Sequence, residues 1–202
     1  MSYVRSLPYK PGQKMPYRLS RSKIELFMQC PRCFWLDVRL KISRPSSPPF
    51  NINKAIDDVW IDDDKKLIVV DYKATAKSEP VKSLGAVGTW HDMYRRQMEI
   101  YQWLLKQNGF EVSDIGYFVY ATGSWAHDQF DNVVNFETHV FPHQGKNDWV
   151  DKTLNTMKKV MDSKEMPPVG KQVMNPSKPC EFCDYARKRT ELTLKYLKKI
   201  DN

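Results

Sequence analysis

The run Leu67-Ile68-Val69-Val70-Asp71-Tyr72-Lys73 constrains the fold more than any other part of the chain. Four hydrophobic residues, three of them β-branched, read as a strand covered on both faces. Strand side chains alternate, so Asp71 and Lys73 project to one side at its end. An acid and a base placed there are costly to bury unless they pair or hold something. Upstream, the residues from Ala55 to Trp60 read as a second strand, and Asp62-Asp63-Asp64-Lys65-Lys66 makes the turn between the two. That hairpin brings Asp57 or Asp58 beside Asp71, and alternation sends Asp58 to the face opposite Asp57. Two carboxylates and a lysine gathered in this way suit a hard divalent cation and a water nucleophile. Mg²⁺ or Mn²⁺ takes oxygen ligands and would accept Asp57, Asp71, the backbone carbonyl of Tyr72 and waters.

The rest of the chain supplies elements around this hairpin. Ser22-Lys23-Ile24-Glu25 resembles a capping box that opens a short helix, with Ile24, Phe27 and Met28 on one face. Arg44-Pro45-Ser46-Ser47-Pro48-Pro49 is an extended connector. The periodicity predicts a helix from His91 to Asn108, stopped by Gly109, with Met93, Gln97, Ile100, Tyr101 and Leu104 on one stripe. Gln97 is a polar residue on that apolar stripe, and a buried amide needs partners. Tyr101 follows one turn later on the same face. Ile115 to Tyr120 reads as a buried strand, Gly123-Ser124 as a loop, and Asn132 to Phe141 as a further strand. A helix from Asp148 to Met161 buries Val150, Leu154, Met157 and Met161, and a basic helix ends the chain.

All four cysteines fall in two C-x-x-C pairs, Cys30/Cys33 and Cys180/Cys183. Two such pairs favour a metal centre over disulfides, and a thioredoxin-like redox pair would explain only one of them. A metal clip across positions about 150 residues apart constrains a very long loop and ties the two chain ends together. Four thiolates leave no open coordination position, so the role is structural, and two plus two thiolates suit tetrahedral Zn²⁺.

Charge is unevenly spread. Of the net +8, residues 1–45 carry the whole excess, with ten Lys/Arg against Glu25 and Asp37. A concentrated positive segment attracts a polyanion and releases its counterions, which nominates Arg5, Lys10, Lys14, Arg18, Arg21 and Lys23 as nucleic-acid contacts. Tyr3, Tyr9 and Tyr17 lie among them and could stack on unpaired bases. The plainer reading is a solvated, proline-broken arm. The expected organisation is therefore a basic, Pro-rich arm over residues 1–19 and one domain over residues 20–202 that includes the cysteine clip. No apolar run approaches the roughly 20 residues that cross a bilayer, and Met1 to Arg5 lacks the apolar stretch of a signal peptide. Both features point to the cytoplasm and away from a membrane partner.

Taken in order, these residues resemble the PD-(D/E)xK nuclease superfamily, and within it the RecB-type exonucleases. Asp57 matches the acid of one strand, Asp71-Tyr72-Lys73 the acid-x-Lys of the next, and Gln97 with Tyr101 the Gln and Tyr on the following helix. The cysteine pairs resemble those of the iron–sulfur nucleases of AddB and of CRISPR adaptation. The resemblance implies an α/β fold with a restriction-endonuclease-like core of helix, β-hairpin, helix and strand. It also implies a Mg²⁺- or Mn²⁺-dependent nuclease that hydrolyses phosphodiester bonds in single-stranded DNA or duplex ends, in repair, recombination or defence. Asp57, Asp71, Lys73, Gln97 and Tyr101 would form its catalytic set, and a [4Fe–4S] cluster would sit on the cysteines, with Zn²⁺ the alternative. RecB-type nucleases usually add a His or Glu ligand on the helix before the hairpin. Here neither residue occurs between Cys33 and Asp57, and Glu25 is the only upstream candidate. The alternative is a catalytically weak or inactive nucleic-acid-binding module of the same fold.

Overall fold

The computed structural model describes residues 7–14, 16–17, 19–42, 56–89, 91–124, 134–172 and 175–200. The chain divides into two units, residues 53–150 and residues 1–52 with 151–202. The connector at residues 44–49, Ala55, Asn132, Tyr3, Arg5 and Arg18 lie outside the described residues.

The unit of residues 53–150 is a mixed α/β layer. Its sheet has four strands in the order β1 (Asp58–Ile61), β2 (Leu67–Lys77), β3 (Ile115–Ser124) and β4 (Phe136–Gln144). β1 and β2 form the expected antiparallel hairpin, with Ile61 opposite Leu67. Asp62 builds its turn: the carboxylate accepts the Lys66 N–H at 2.8 Å, the carbonyl accepts the Lys65 N–H at 3.0 Å, and Lys65 adopts φ 67°. β2 runs parallel to β3, so the connection between them must cross over, and α3 (Asp92–Gln107) is that crossover. β4 returns antiparallel to β3.

One face of the sheet packs on α3 through Val69, Met98, Tyr101, Phe118 and Tyr120, with Val81 and Leu84 from the β2–α3 connection. Burying each large apolar side chain contributes about 1.5–3 kcal/mol. The approach of α3 depends on Gly116, where a Cβ would meet the Met98 sulfur at 2.3 Å and the Val69 carbonyl at 2.9 Å.

Three expectations need correction here. β2 does not end at Lys73 but continues to Lys77, because β3 pairs with it as far as Ser124. Gly123 and Ser124 therefore belong to a strand rather than a loop. The single apolar stripe expected on α3 is too narrow. Gln97 through Tyr101 and also Gln102 are all buried, whereas Leu104 is exposed and Leu105 packs on the core. Polar side chains occupy the second buried face because the Glu99 carboxylate and the Gln102 amide N–H groups find partners: Glu99 accepts the Trp149 indole N–H at 2.6 Å and contacts the His143 Nε2 at 3.0 Å, and Gln102 donates to the carbonyls of Ser113 and Asp114.

The other unit holds α1 (Arg21–Gln29), α2 (Pro31–Leu40), most of α4 (Trp149–Asp162) and α5 (Glu181–Ile200). α1 starts at Arg21 with Ser20 as N-cap, so Ser22 lies inside the helix and makes no capping box. Met28 is exposed, and Ile24 and Phe27 alone carry the buried face of α1. Pro31 stops α1: it cannot continue the helix, it forces Cys30 to φ −158°, and it then opens α2 as its first residue. Arg39 of α2 donates to the carbonyls of Met161 and Ser163, a cation at the C-terminal end of α4. Among the described residues no helix is long and apolar enough to cross a membrane.

Candidate functional site

β1 pairs with β2 only as far as Asp58 opposite Val70. From Asp71 onward, β3 covers one edge of β2, and among the described residues β1 leaves the other edge without a strand partner. The Tyr72 N–H on that open edge donates to the Asp57 carboxylate at 3.0 Å. A strand residue directs its N–H and C=O to the same edge, so the Tyr72 carbonyl faces the Asp57 side as well.

Asp71 is 1% exposed and points to the α3 face. One of its oxygens accepts the Gln97 Nε2–H at 2.9 Å, and the other meets the Lys73 ammonium. Lys73 is itself nearly buried and lies 4.6 Å from the centre of the Tyr94 ring, a cation–π contact. Burial pushes the Asp71 carboxyl above the usual carboxylate range, Lys73 pulls against it, and the Asp57 carboxylate adds repulsion. A cation beside both acids would relieve that repulsion. The Gln97 Oε1 is buried and has no hydrogen-bond partner among the described residues. Two carboxylates and a backbone carbonyl fit an oxygen-seeking divalent ion.

Asp57 rather than Asp58 therefore stands beside Asp71. Asp58 serves the opposite face, where it accepts the Tyr72 hydroxyl at 2.8 Å and the Trp60 indole N–H at 3.1 Å. The tyrosine's bond first, and next the one from the Val59 N–H at 2.8 Å, hold its carboxyl below the usual range. Asp57 is exposed, whereas Asp71 is buried. Tyr101 is buried in the apolar cluster with Val69 and Phe118. The sequence pattern does not single out Tyr94, although Tyr94, Gln97 and Tyr101 recur at i, i+3 and i+7. The loop after β2 is pinned near this helix end by Arg95, which donates to the carbonyls of Leu84 and Gly85.

The cysteines form a second centre. Their four sulfurs lie within 4.8 Å of one another. Cys30 is the N-cap of α2 and Cys33 its third residue; Cys180 precedes α5 and Cys183 is its third residue. Each pair thus straddles a helix N-terminus, where N–H dipoles favour thiolates. The Gly170 N–H donates to the Cys30 sulfur at 3.3 Å. The Cys30 thiol is pulled down to about 4, chiefly by the Cys33 thiol, whereas burial pushes Cys183 up to about 11. Negative charge gathered on one sulfur opposes ionisation of the next until a cation shares it.

The basic segment is partly committed. Lys23 pairs with Asp37 of α2, and burial, then Lys41, lowers its pKa to about 8. Tyr9 is buried, with its hydroxyl donating to Asp162 at 2.5 Å, which corrects the expectation that it stacks on bases. Lys10 and Lys14 are exposed, and Arg21 is half-buried on α1. Glu25, the upstream ligand candidate, accepts the Gln29 amide at 3.3 Å.

No curated protein and no solved structure matches the chain. Residues 50–187, roughly two thirds of the 202, do match the description of one family, and they span the hairpin, the acid-x-Lys strand, the Gln-bearing helix and the second cysteine pair. The chain belongs to the PD-(D/E)XK nuclease superfamily.

Proposed function

We propose that the protein is a Mg²⁺- or Mn²⁺-dependent nuclease that hydrolyses phosphodiester bonds in single-stranded DNA or at duplex ends. The observation that carries this reading is the meeting of Asp57, Asp71, Lys73 and Gln97 where β1 releases the edge of β2. The order of the hairpin acid, the acid-x-Lys strand and the Gln-bearing helix supports a RecB-type member like the AddB and CRISPR-adaptation nucleases, serving repair, recombination or defence.

Asp57, Asp71 and the Tyr72 carbonyl are the residues to hold the cation. When bound, the cation supplies neutralising charge at the phosphoryl oxygens and lowers the pKa of a bound water. Gln97 fixes the rotamer of Asp71 by donating to one of its oxygens. Lys73, seated on Tyr94, places a positive charge beside Asp71, where it orients the attacking water and offsets charge that develops in the transition state. Tyr101 supports the helix that carries Gln97. Lys10, Lys14 and Arg21, with Arg5 and Arg18, supply phosphate contacts, and Lys23 adds to the local potential while paired with Asp37.

One observation favours a second reading, a binding module with little activity: no His or Glu lies between Cys33 and Asp57 to complete the usual ligand set. Labelled single- and double-stranded DNA, incubated with purified protein with and without Mg²⁺ or Mn²⁺, separates the two. Metal-dependent cleavage that Asp71→Ala abolishes supports the nuclease. Retention of DNA without cleavage in either metal supports the binding module.

A further inference from the structure

We infer that the four cysteines hold a single zinc ion and not an iron–sulfur cluster. This goes beyond the nuclease reading and does not rest on it. The decisive measure is the sulfur–sulfur spacing: Cys30 to Cys183 is 3.8 Å, Cys33 to Cys180 is 3.8 Å and Cys33 to Cys183 is 3.6 Å. One tetrahedral ion with metal–sulfur bonds of about 2.3 Å has sulfur–sulfur edges of about 3.8 Å. In a four-iron cubane each thiolate binds a different iron, so the metal–metal separation is added to every edge. The cage seen here closes around one ion and has no room for four irons and four sulfides.

The scaffold argues the same way. The two C-x-x-C pairs have equivalent placements, each with one cysteine just before a helix and the other on its third residue. Two such forks facing each other give two-plus-two tetrahedral donation, and their helix N-termini offset the negative charge of a tetrathiolate. Gly170 bridges the two forks. Its N–H bonds the Cys30 sulfur at 3.3 Å, its carbonyl accepts the Cys180 N–H at 2.7 Å, and a Cβ there would lie 2.7 Å from the Cys30 Cα. The Gly170 backbone thus touches both pairs. Cys30, Cys33 and Cys180 are buried and Cys183 is half-buried, and four thiolates on one tetrahedral ion leave no position for water or substrate. A closed tetrathiolate of this kind is the donor set of structural zinc.

The test is the metal content of the full chain purified without oxygen, with acid-labile sulfide and the visible spectrum measured on the same sample. The expected result is colourless protein with about one zinc per chain and no labile sulfide. Replacing that zinc with Co²⁺ should give the visible bands of a tetrahedral thiolate site, and these should be lost in Cys33→Ser. Should that variant fail to fold, the cobalt spectrum of the unaltered chain still reports the geometry. Brown protein with several irons and labile sulfide overturns the inference. So does one iron without sulfide, and so does metal-free protein that takes up neither Zn²⁺ nor Co²⁺. None of these readouts depends on cleavage, so a nuclease that fails and a zinc site that fails remain distinguishable.

Discussion

Asp71 shows how one residue is shaped by its surroundings. It is fully buried, shares its oxygens between an amide and an ammonium, and faces a second acid across the open edge of its strand. Removing its charge or that of Lys73 should take away an interaction that strengthens in the transition state. Asp71→Ala and Lys73→Ala are each expected to slow cleavage by about a hundredfold or more, with far-UV circular dichroism unchanged. Two variants that cleave at the unaltered rate would show that the site is elsewhere. The raised Asp71 carboxyl also has a sign that can be checked. Without metal, the folded protein holds this proton more tightly than the unfolded chain. Stability should therefore fall as pH rises from the ordinary carboxylate value through the raised one. A cation competes with the same proton, so metal affinity should rise over that window. Asp71→Asn should flatten this part of the pH dependence and remove the stabilisation by Mn²⁺. Thermal melts from about pH 4 to 8, with and without Mn²⁺, measure both effects.

At the scale of elements, close approaches set by small or polar residues matter most. The segment around Gly170 passes so near Cys30 that a single methyl group has no place. Gly170→Ala is expected to cost about 1–3 kcal/mol, read as a lower melting temperature together with faster loss of metal to a chelator. An unchanged melt would mean that the segment is free to move away. On α3, Glu99 satisfies the Trp149 indole and contacts His143. Glu99→Ala leaves a buried donor without its acceptor and should cost about 1–3 kcal/mol by denaturant titration, whereas Glu99→Gln should recover part of that loss. These contacts were not legible in sequence. Helical periodicity marks one buried face, and it assigns Glu99 and Gln102 to solvent unless their partners on other elements are known.

At the scale of the whole molecule, the charge excess of residues 1–45 should make nucleic-acid binding depend steeply on salt. Tyr9 is buried and bonded to Asp162, so deleting the arm would remove packing as well as charge. Neutralising the exposed pair is the cleaner experiment. Lys10→Gln with Lys14→Gln should lower the slope of log K against log salt by up to about 1.4 on single strands. A slope that stays the same would move the contact surface to other cations.

Some of this protein was determined by sequence alone. The β2 core is a β-branched run, and such a run admits little except a buried strand. The hairpin partner, the crossover helix and the two metal-type cysteine pairs likewise follow from local pattern, because turn chemistry, periodicity and C-x-x-C spacing act over a few residues. Tertiary structure decided the rest. Which acid meets Asp71 depends on where β1 stops pairing, and one residue of register exchanges Asp57 for Asp58. The extension of β2 to Lys77 depends on β3, a partner some fifty residues away. The withdrawal of Lys23 depends on Asp37, and the spacing of the four sulfurs depends on two helices brought together from opposite ends of the chain. Such features depend on distances between residues remote in sequence, and no local pattern carries those distances.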